Sequence, residues 1–267
     1  MDYIQAILLA LIQGLTEFLP VSSSAHLILP AQLLGWPDQG LAFDVAVHTG
    51  TLIAVIVYYR ASLRSLLFAT LGRGDALVER RREVLCLALA TLPAVAVGVL
   101  FADMIDSVLR GIPVIATTTL LFGVLLGLSY AYRARGIDEQ PITRPDHAIL
   151  IGLAQAFALI PGTSRSGVTM TAALFLGYNI ASAARFSFLL SIPVIAGALL
   201  LMLVREWGAL FASSSGLLTV SAMLIAALSA YATIAFFVSL VARVGMMPFV
   251  IYRIFLAMVL FLIVVFV

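Results

Sequence analysis

The segment PVSSSAH, residues Pro20–His26, interrupts an apolar stretch of sequence over residues 4–29. A second apolar stretch, residues 148–176, is interrupted by PGTSRSGVT, residues Pro161–Thr169. Proline ends a helix, and broken backbone at membrane depth is tolerated only where protein buries it or a watery cavity lies beside it. Each stretch therefore predicts a re-entrant helix–loop–helix hairpin instead of a simple membrane span.

The composition is that of an integral membrane protein. Hydrophobic residues make up 63% of the chain and charged residues 10%, where soluble proteins carry about 25% charged residues. The net charge of +2 gives no indication of a nucleic-acid partner. Six further stretches have the roughly 20 apolar residues that cross a bilayer. They are residues 43–59, 84–102, 113–132, 186–204, 217–238 and 248–267. We predict an all-α integral membrane protein with six transmembrane helices plus two hairpins, in one domain over residues 1–267.

Arginine placement predicts the orientation in the membrane. The connections over residues 60–83 and 133–147 are rich in arginine, whereas residues 103–112 contain only Arg110. Because positively charged loops stay in the cytoplasm, the first two connections are predicted to be cytoplasmic and the third to lie outside. Both chain termini are then predicted to lie on the periplasmic side.

The two halves of the sequence resemble each other. Gln13 aligns with Gln155, and a one-residue gap then aligns Pro20 with Pro161. Each half, approximately residues 1–135 and 145–267, contains one hairpin and three spans. A hairpin does not cross the membrane and three spans cross an odd number of times, so the halves are predicted to be inverted repeats with a site at their interface.

The first break combines a carboxylate, an imidazole and hydroxyls. Gln13 and Glu17 share one helix face, and His26 follows in the break beside Ser22, Ser23 and Ser24. An ionisable side chain at bilayer depth is a functional candidate because burying it is costly. The alternatives are a Glu17 that extends to the interface, a His26 bonded to a core hydroxyl, and serines that only pack.

The second break places Arg165 between Ser164 and Ser166, close to Gly162. A guanidinium suits phosphate oxygens, and glycines let backbone N–H groups approach an anion. The alternative is a structural ion pair between Arg165 and Glu17.

Together the breaks favour phosphoryl transfer on a lipid phosphate. A transporter with the same architecture, either a lipid-phosphate flippase or an anion carrier, fits the inverted repeats equally well. Asp44 and His48, at the start of the first span, are candidates for the headgroup entrance, the alternative being an interface cap and a packed imidazole.

The motifs GLTEFLPVSSSAHL and PGTSRSGVTMTAALFLG resemble the two signature motifs of the undecaprenyl pyrophosphate phosphatase family, also called the bacitracin-resistance or BacA/UppP family. The resemblance covers essentially the whole chain. It implies hydrolysis of undecaprenyl diphosphate in the bacterial inner membrane, which recycles a carrier lipid for peptidoglycan synthesis and confers bacitracin resistance. It also implies a homodimer, a site that opens towards the periplasm, and a divalent cation, Mg²⁺ or Ca²⁺.

The resemblance also implies roles for single residues. Ser23 is the expected nucleophile, with His26 or Glu17 as general base; direct attack by water is the alternative. Arg165 would bind the diphosphate, and Glu17 with Gln13 would hold the cation. Many members of the family have Glu where this chain has Gln13, which leaves one carboxylate fewer for a metal. The other expected substrate-binding residues are Ser22, Ser24, Gly162, Thr163, Ser164, Ser166 and Thr169.

Overall fold

The computed structural model describes residues 2–37, 40–72, 77–132, 140–205 and 216–266. Within these ranges the chain forms eleven α-helices and no strand, which confirms the all-α class. The helices are α1 Tyr3–Thr16, α2 Ser23–Leu34, α3 Leu41–Tyr58, α4 Arg60–Leu71, α5 Val78–Val108, α6 Ile112–Tyr132, α7 Pro145–Ala156, α8 Arg165–Phe175, α9 Ile180–Arg205, α10 Gly216–Val244 and α11 Met247–Phe266. A 3₁₀ turn, Phe157–Leu159, follows α7.

Five of these helices, α5, α6, α9, α10 and α11, are long and apolar enough to cross a membrane by themselves. A sixth candidate span exists only if α3 and α4 are taken together, and these two helices are bent by 76° at Tyr59. The chain is therefore a multi-pass membrane protein with five or six candidate spans in its described part.

Several helices continue beyond the apolar stretches that predicted them. Helix α5 begins at Val78, ahead of the predicted residue 84, because arginines outside the apolar stretch are good helix formers. Helix α4 lies in a connection for which no helix was predicted. Its apolar face, with Leu66 and Ala69, is buried, and the Nε of Arg81 donates to the Ala69 carbonyl at 2.7 Å. Apolar length thus predicts the hydrocarbon crossing and not the end of the helix.

Both predicted hairpins are interrupted where the sequence indicated. Helices α1 and α7 contain 14 and 12 residues, so at 1.5 Å per residue they are about 21 and 18 Å long. Neither could cross a hydrocarbon core of about 30 Å. Each is followed by a break and then by a short second helix, α2 or α8.

The two breaks share an unusual backbone. Ser22 and Ser164 have φ of 76° and 69°, and they are the only non-glycine residues with positive φ in the described ranges. Each serine is the N-cap of the next helix, and its hydroxyl accepts from a backbone N–H at 3.5 Å for Ala25 and 3.1 Å for Gly167. Gln13 precedes Ser22 by the same number of residues as Gln155 precedes Ser164. The breaks therefore correspond without the one-residue gap that the prolines had suggested.

Packing connects the two halves of the chain. Helix α1 packs along α10, and α7 packs along α5, so the first helix of each predicted hairpin lies against the other half. Helices α6 and α11 pack together as well. An aromatic core joins Phe18, beside the first break, to Phe188 and Phe237 through edge-on contacts of 5.5 Å between ring centroids. These contacts hold the first break against α9 and α10.

Candidate active site

Glu17 is the side chain at which the two breaks meet. It lies directly after α1, and its Oε2 accepts hydrogen bonds from the Ser23 hydroxyl at 2.7 Å and the Gln13 amide at 3.0 Å. Its Oε1 lies 3.5 Å from Nη2 of Arg165 in the second break. The structure therefore contains the Glu17–Arg165 ion pair that the sequence had left as an alternative, and a serine hydroxyl shares the same carboxylate.

A cavity of about 210 Å³ opens beside this cluster. Of the predicted site residues, those that line it are Glu17, Ser22, Ser23, Ser24, Ser164 and Arg165. Helices α2 and α8 both begin at this cavity, so the positive ends of two helix dipoles face it. Such an arrangement of N-termini, hydroxyls and a guanidinium suits an anionic ligand such as a phosphate.

Arg165 is held in place by neighbouring groups and still has an N–H donor without a partner. Its Nη1 donates to the Ser187 carbonyl at 2.8 Å, and its guanidinium lies 5.8 Å from the centroid of the Phe18 ring. Its buried Nε has no hydrogen-bond partner among the described residues. A buried donor without a partner is costly, so a ligand oxygen that accepts from it would gain accordingly.

Five predicted ligand-binding residues do not line the cavity: Gln13, Gly162, Thr163, Ser166 and Thr169. The Ser166 hydroxyl donates to the Leu19 carbonyl at 2.8 Å and so joins the second break to the first. The Thr169 hydroxyl lies 2.8 Å from that of Ser187, the residue whose carbonyl holds Arg165. The side chains of Ser166 and Thr169 therefore stabilise the segments that form the cavity walls without lining the cavity themselves.

The two histidines near the breaks have different surroundings. His26 donates from Nδ1 to the Ser22 carbonyl at 2.7 Å, and its Nε2 accepts from the Tyr252 hydroxyl at 2.5 Å. It does not line the cavity, whereas His48 does. His48 donates from Nδ1 to the Asp44 carbonyl at 2.8 Å, so Nε2 is its basic nitrogen. The imidazole at the cavity is thus one that the sequence had ranked only as a candidate for the entrance.

Arg253 is a site residue that sequence reasoning missed. Its side chain on α11 is fully buried, and its Nη1 donates to the carbonyls of Pro20 at 3.2 Å and Thr163 at 3.0 Å. Its Nη2 donates to the Gly162 carbonyl at 2.9 Å. One guanidinium therefore holds the backbone of both breaks. An arginine within the predicted span 248–267 was itself a signal, because charge at that depth is functional by default.

Gly162 fits only as glycine. Its φ is 91°, and a Cβ added there would lie 2.2 Å from the Thr118 hydroxyl and 2.7 Å from the Ile115 carbonyl oxygen. The missing side chain lets the second break lie directly against α6, within reach of Arg253.

Sequence comparison places the chain among known proteins. A family model described as "Bacitracin resistance protein BacA" matches residues 6–259. The chain belongs to the BacA family. It is 55% identical to an undecaprenyl-diphosphatase of Alcanivorax borkumensis, over 96% of this chain and 97% of the relative. It is 52% identical to an undecaprenyl-diphosphatase of Teredinibacter turnerae, over 98% of this chain and 99% of the relative. It is also 52% identical to an undecaprenyl-diphosphatase of Hahella chejuensis, over 95% of each chain.

The capacity of this BacA-family chain to hold a cation depends on few ligands. Its described residues contain no group of three or more His, Cys, Asp or Glu side chains placed to bind a metal. Beside Glu17, however, the buried Gln13 Oε1 has no hydrogen-bond partner among those residues, and the same holds for Oε1 of Gln155, which lines the cavity. One carboxylate with neutral oxygens fits Mg²⁺ or Ca²⁺ where substrate phosphates complete the coordination.

Proposed function

We propose that this protein is an integral membrane phosphatase that hydrolyses undecaprenyl diphosphate to undecaprenyl phosphate and inorganic phosphate. This reaction would recycle the carrier lipid for peptidoglycan synthesis and confer bacitracin resistance. The observation that carries the proposal is the contact of Glu17 with both Ser23 and Arg165 at a cavity formed by two helix N-termini. The names of the three relatives support the same substrate.

The chemistry begins with the Ser23 hydroxyl, which already donates to the Glu17 carboxylate. Ser23 Oγ attacks the terminal phosphorus, its proton passes to Glu17, and the bond from that phosphorus to the bridging oxygen breaks. Undecaprenyl phosphate leaves, and water then cleaves the phosphoserine to release inorganic phosphate. In the alternative, water held by Ser23 attacks directly and Glu17 takes its proton.

Arg165 would stabilise the charge on the phosphoryl oxygens during this step. Its guanidinium and the N-termini of α2 and α8 lie at the cavity where that charge would develop. The divalent cation would be held by Glu17, Gln13 and the substrate, and when bound it would neutralise part of the diphosphate charge.

The architecture in the membrane follows from the same observations. We infer that α1–α2 and α7–α8 form re-entrant hairpins, because α1 and α7 are too short to cross and their breaks meet at a polar cavity. The matched caps at Ser22 and Ser164 support the inverted repeats. Arginine placement supports an orientation in the bacterial inner membrane with both termini on the periplasmic side. We infer that the site opens to the same side, because the residues of α5 and α9 that line the cavity belong to the C-terminal halves of these helices, which end there. The homodimer stays a prediction.

Phosphate release from undecaprenyl diphosphate by the purified protein in detergent tests the function. No membrane separates two compartments there, so release requires an enzyme. We expect steady release by the native protein with Mg²⁺ or Ca²⁺, and a rate about 10²-fold lower for Glu17→Gln, because the general base is lost. A native protein that releases no phosphate in detergent but moves the lipid across vesicle membranes would be a transporter, and the proposal would be wrong.

A pair of histidine variants separates the two imidazoles. We expect His48→Gln to lower phosphate release by about 10²-fold and to remove one limb of the pH–rate profile, because this imidazole faces the cavity with its basic nitrogen available. His26→Gln should change the rate without changing the shape of the profile, since its Nε2 is bound by Tyr252. If His26→Gln removes the limb and His48→Gln leaves it, His26 takes the proton in place of Glu17, which is the other general base that the sequence suggested.

A further inference from the structure

A groove of about 270 Å³ leads away from the polar cavity between α5 and α9. Cavity and groove are continuous, because five residues line both of them: Ala94, Leu159, Val194, Ala198 and Met202. Beyond these, the groove is lined by apolar residues of the C-terminal halves of the two helices. A ligand with a charged end in the cavity would therefore place whatever follows that end in an apolar channel.

The two helices that form the groove are joined at their other ends. Glu83, near the start of α5, is buried and forms an ion pair with Arg185, near the start of α9, including a contact of 3.3 Å from Oε2 to Nη2. Further along, the groove is lined by Ala94 and Gly98 of α5 and by Val194 and Gly197 of α9. The helices run in parallel, closed at the arginine-rich end and open at the end that we propose lies towards the periplasm.

Glycines create the space between these helices. A Cβ added at Gly98 would come no closer than 3.9 Å to a neighbouring atom, the methyl groups of Leu159, and one at Gly197 no closer than 3.8 Å to Val95. The pair α3 and α10, which corresponds to α9 and α5 in the proposed repeat, is packed differently. There a Cβ at Gly50 would lie 2.3 Å from the Met223 carbonyl oxygen, so no comparable space separates the helices at that point.

We propose that the α5/α9 groove binds the first isoprene units of the polyprenyl chain of the substrate and guides the chain from the cavity into the bilayer. The inference rests on the proposed function for the nature of the headgroup. A polyprenyl chain is the occupant because the groove is apolar, continuous with the anion-binding cavity, and formed by two helices that can both cross the membrane. In the proposed inverted repeat, α5 and α9 are then the open helix pair that binds the lipid, and α3 and α10 are the closed pair.

Filling the groove is expected to affect long substrates selectively. Gly98→Phe or Gly197→Phe should raise the KM for undecaprenyl diphosphate by about tenfold or more with little change in kcat, because the lost contacts are the same in the ground and transition states. Hydrolysis of isopentenyl diphosphate, whose five-carbon chain is too short to extend along the groove, should be unchanged. The matched control is Leu200→Phe on the exposed face of α9. Met104→Trp, in an adjacent apolar hollow between α5 and α7 that shares Ile105 and Leu159 with the groove, tests whether the chain follows that hollow instead.

The outcomes separate this inference from the proposed function. A native protein that hydrolyses neither diphosphate contradicts the function. If the native protein hydrolyses both diphosphates and the glycine variants affect the two substrates equally or not at all, the proposed role of the groove is wrong. A chain-length effect from Met104→Trp alone would also contradict that role.

A measurement that needs no catalysis completes the test. In Gly98→Cys, undecaprenyl phosphate should slow maleimide labelling of the new thiol, whereas inorganic phosphate should not. Cys86 is fully buried and gives the background. Equal labelling in the presence and absence of the lipid would overturn the proposal.

Discussion

Replacing Arg165 with alanine is expected to lower the rate of phosphate release from undecaprenyl diphosphate by about 10³-fold. Arg165 is the guanidinium that lines the cavity, and its buried Nε has no hydrogen-bond partner among the described residues. No second arginine and no lysine lines the cavity in the described part of the chain. The measurement is the initial rate of phosphate release by the purified variant in detergent at saturating substrate.

Arg165→Lys shows whether the guanidinium acts by charge alone. Lysine keeps the charge but has a single amine, which cannot bind the Ser187 carbonyl and a phosphate in the way that a planar fork can. We expect a loss on the order of 10²-fold, between the native protein and alanine. The matched control is Arg144→Ala, which removes an exposed arginine paired with Asp146, and its rate should stay within about twofold.

Loss of Arg165 also leaves Glu17 without its charged partner, so folding needs a separate check. The double variant Glu17→Gln/Arg165→Met removes both charges and should remain folded, as judged by its thermal unfolding in detergent, yet stay inactive. Near-normal phosphate release by Arg165→Ala or Arg165→Lys would contradict the proposed role of this residue and the assignment of the cavity as the active site.

The helix breaks and the meeting of Glu17 with Arg165 follow from the sequence because each depends on local rules. Proline disfavours a helix interior and serine favours an N-cap, and although single prolines such as Pro30 and Pro93 lie inside helices, a proline followed by several serines marks a break. A carboxylate and a guanidinium at bilayer depth each need a partner. The predicted inversion of the two halves would then bring them together. The same reasoning placed Ser22 to Ser24 at the cavity, since the first residues of a helix lie at its break.

The different roles of His26 and His48 could not be predicted, since both are imidazoles near the ends of apolar segments. Which one faces the cavity depends on how α2 is rotated and on Tyr252, a residue of the other half of the chain. Sequence position carries no information on such a contact. The bend between α3 and α4 was missed for a related reason, because hydropathy reports apolar length and not direction.

Arg253 had a local signal, but its role depends on tertiary structure. A charged residue in an apolar span indicates a functional position without saying what the charge contacts. In the structure its N–H groups meet backbone carbonyls from both breaks and from α6, where Nε lies 3.3 Å from the Thr119 carbonyl oxygen. These carbonyls belong to irregular turns and to the surface of a helix, and only folding brings them near α11.

Arg253→Met is therefore expected to lower kcat by at least about 10²-fold although Arg253 does not line the cavity, because a displacement of about 1 Å in a catalytic group has an effect of that size. The carbonyls of Pro20, Gly162 and Thr163 would lose their donor. Ser23 lies three residues after Pro20, and Arg165 lies two residues after Thr163. Arg253→Lys, which keeps the charge with fewer donors, should recover part of kcat.

A matched variant distinguishes an effect of Arg253 on the stability of the fold from an effect on the position of the catalytic groups. Leu9→Ala removes a fully buried side chain from a separate apolar cluster between α1, α3 and α10, at a cost of about 2–5 kcal/mol in the free energy of unfolding. If Arg253 acts by positioning, Leu9→Ala should lower the unfolding temperature to a similar extent while keeping near-native kcat at temperatures where both variants are folded. Equal kcat for the two variants would mean that Arg253 only stabilises the fold. If kcat falls in Arg253→Met alone and partly recovers in Arg253→Lys, the guanidinium sets the geometry of both breaks at once.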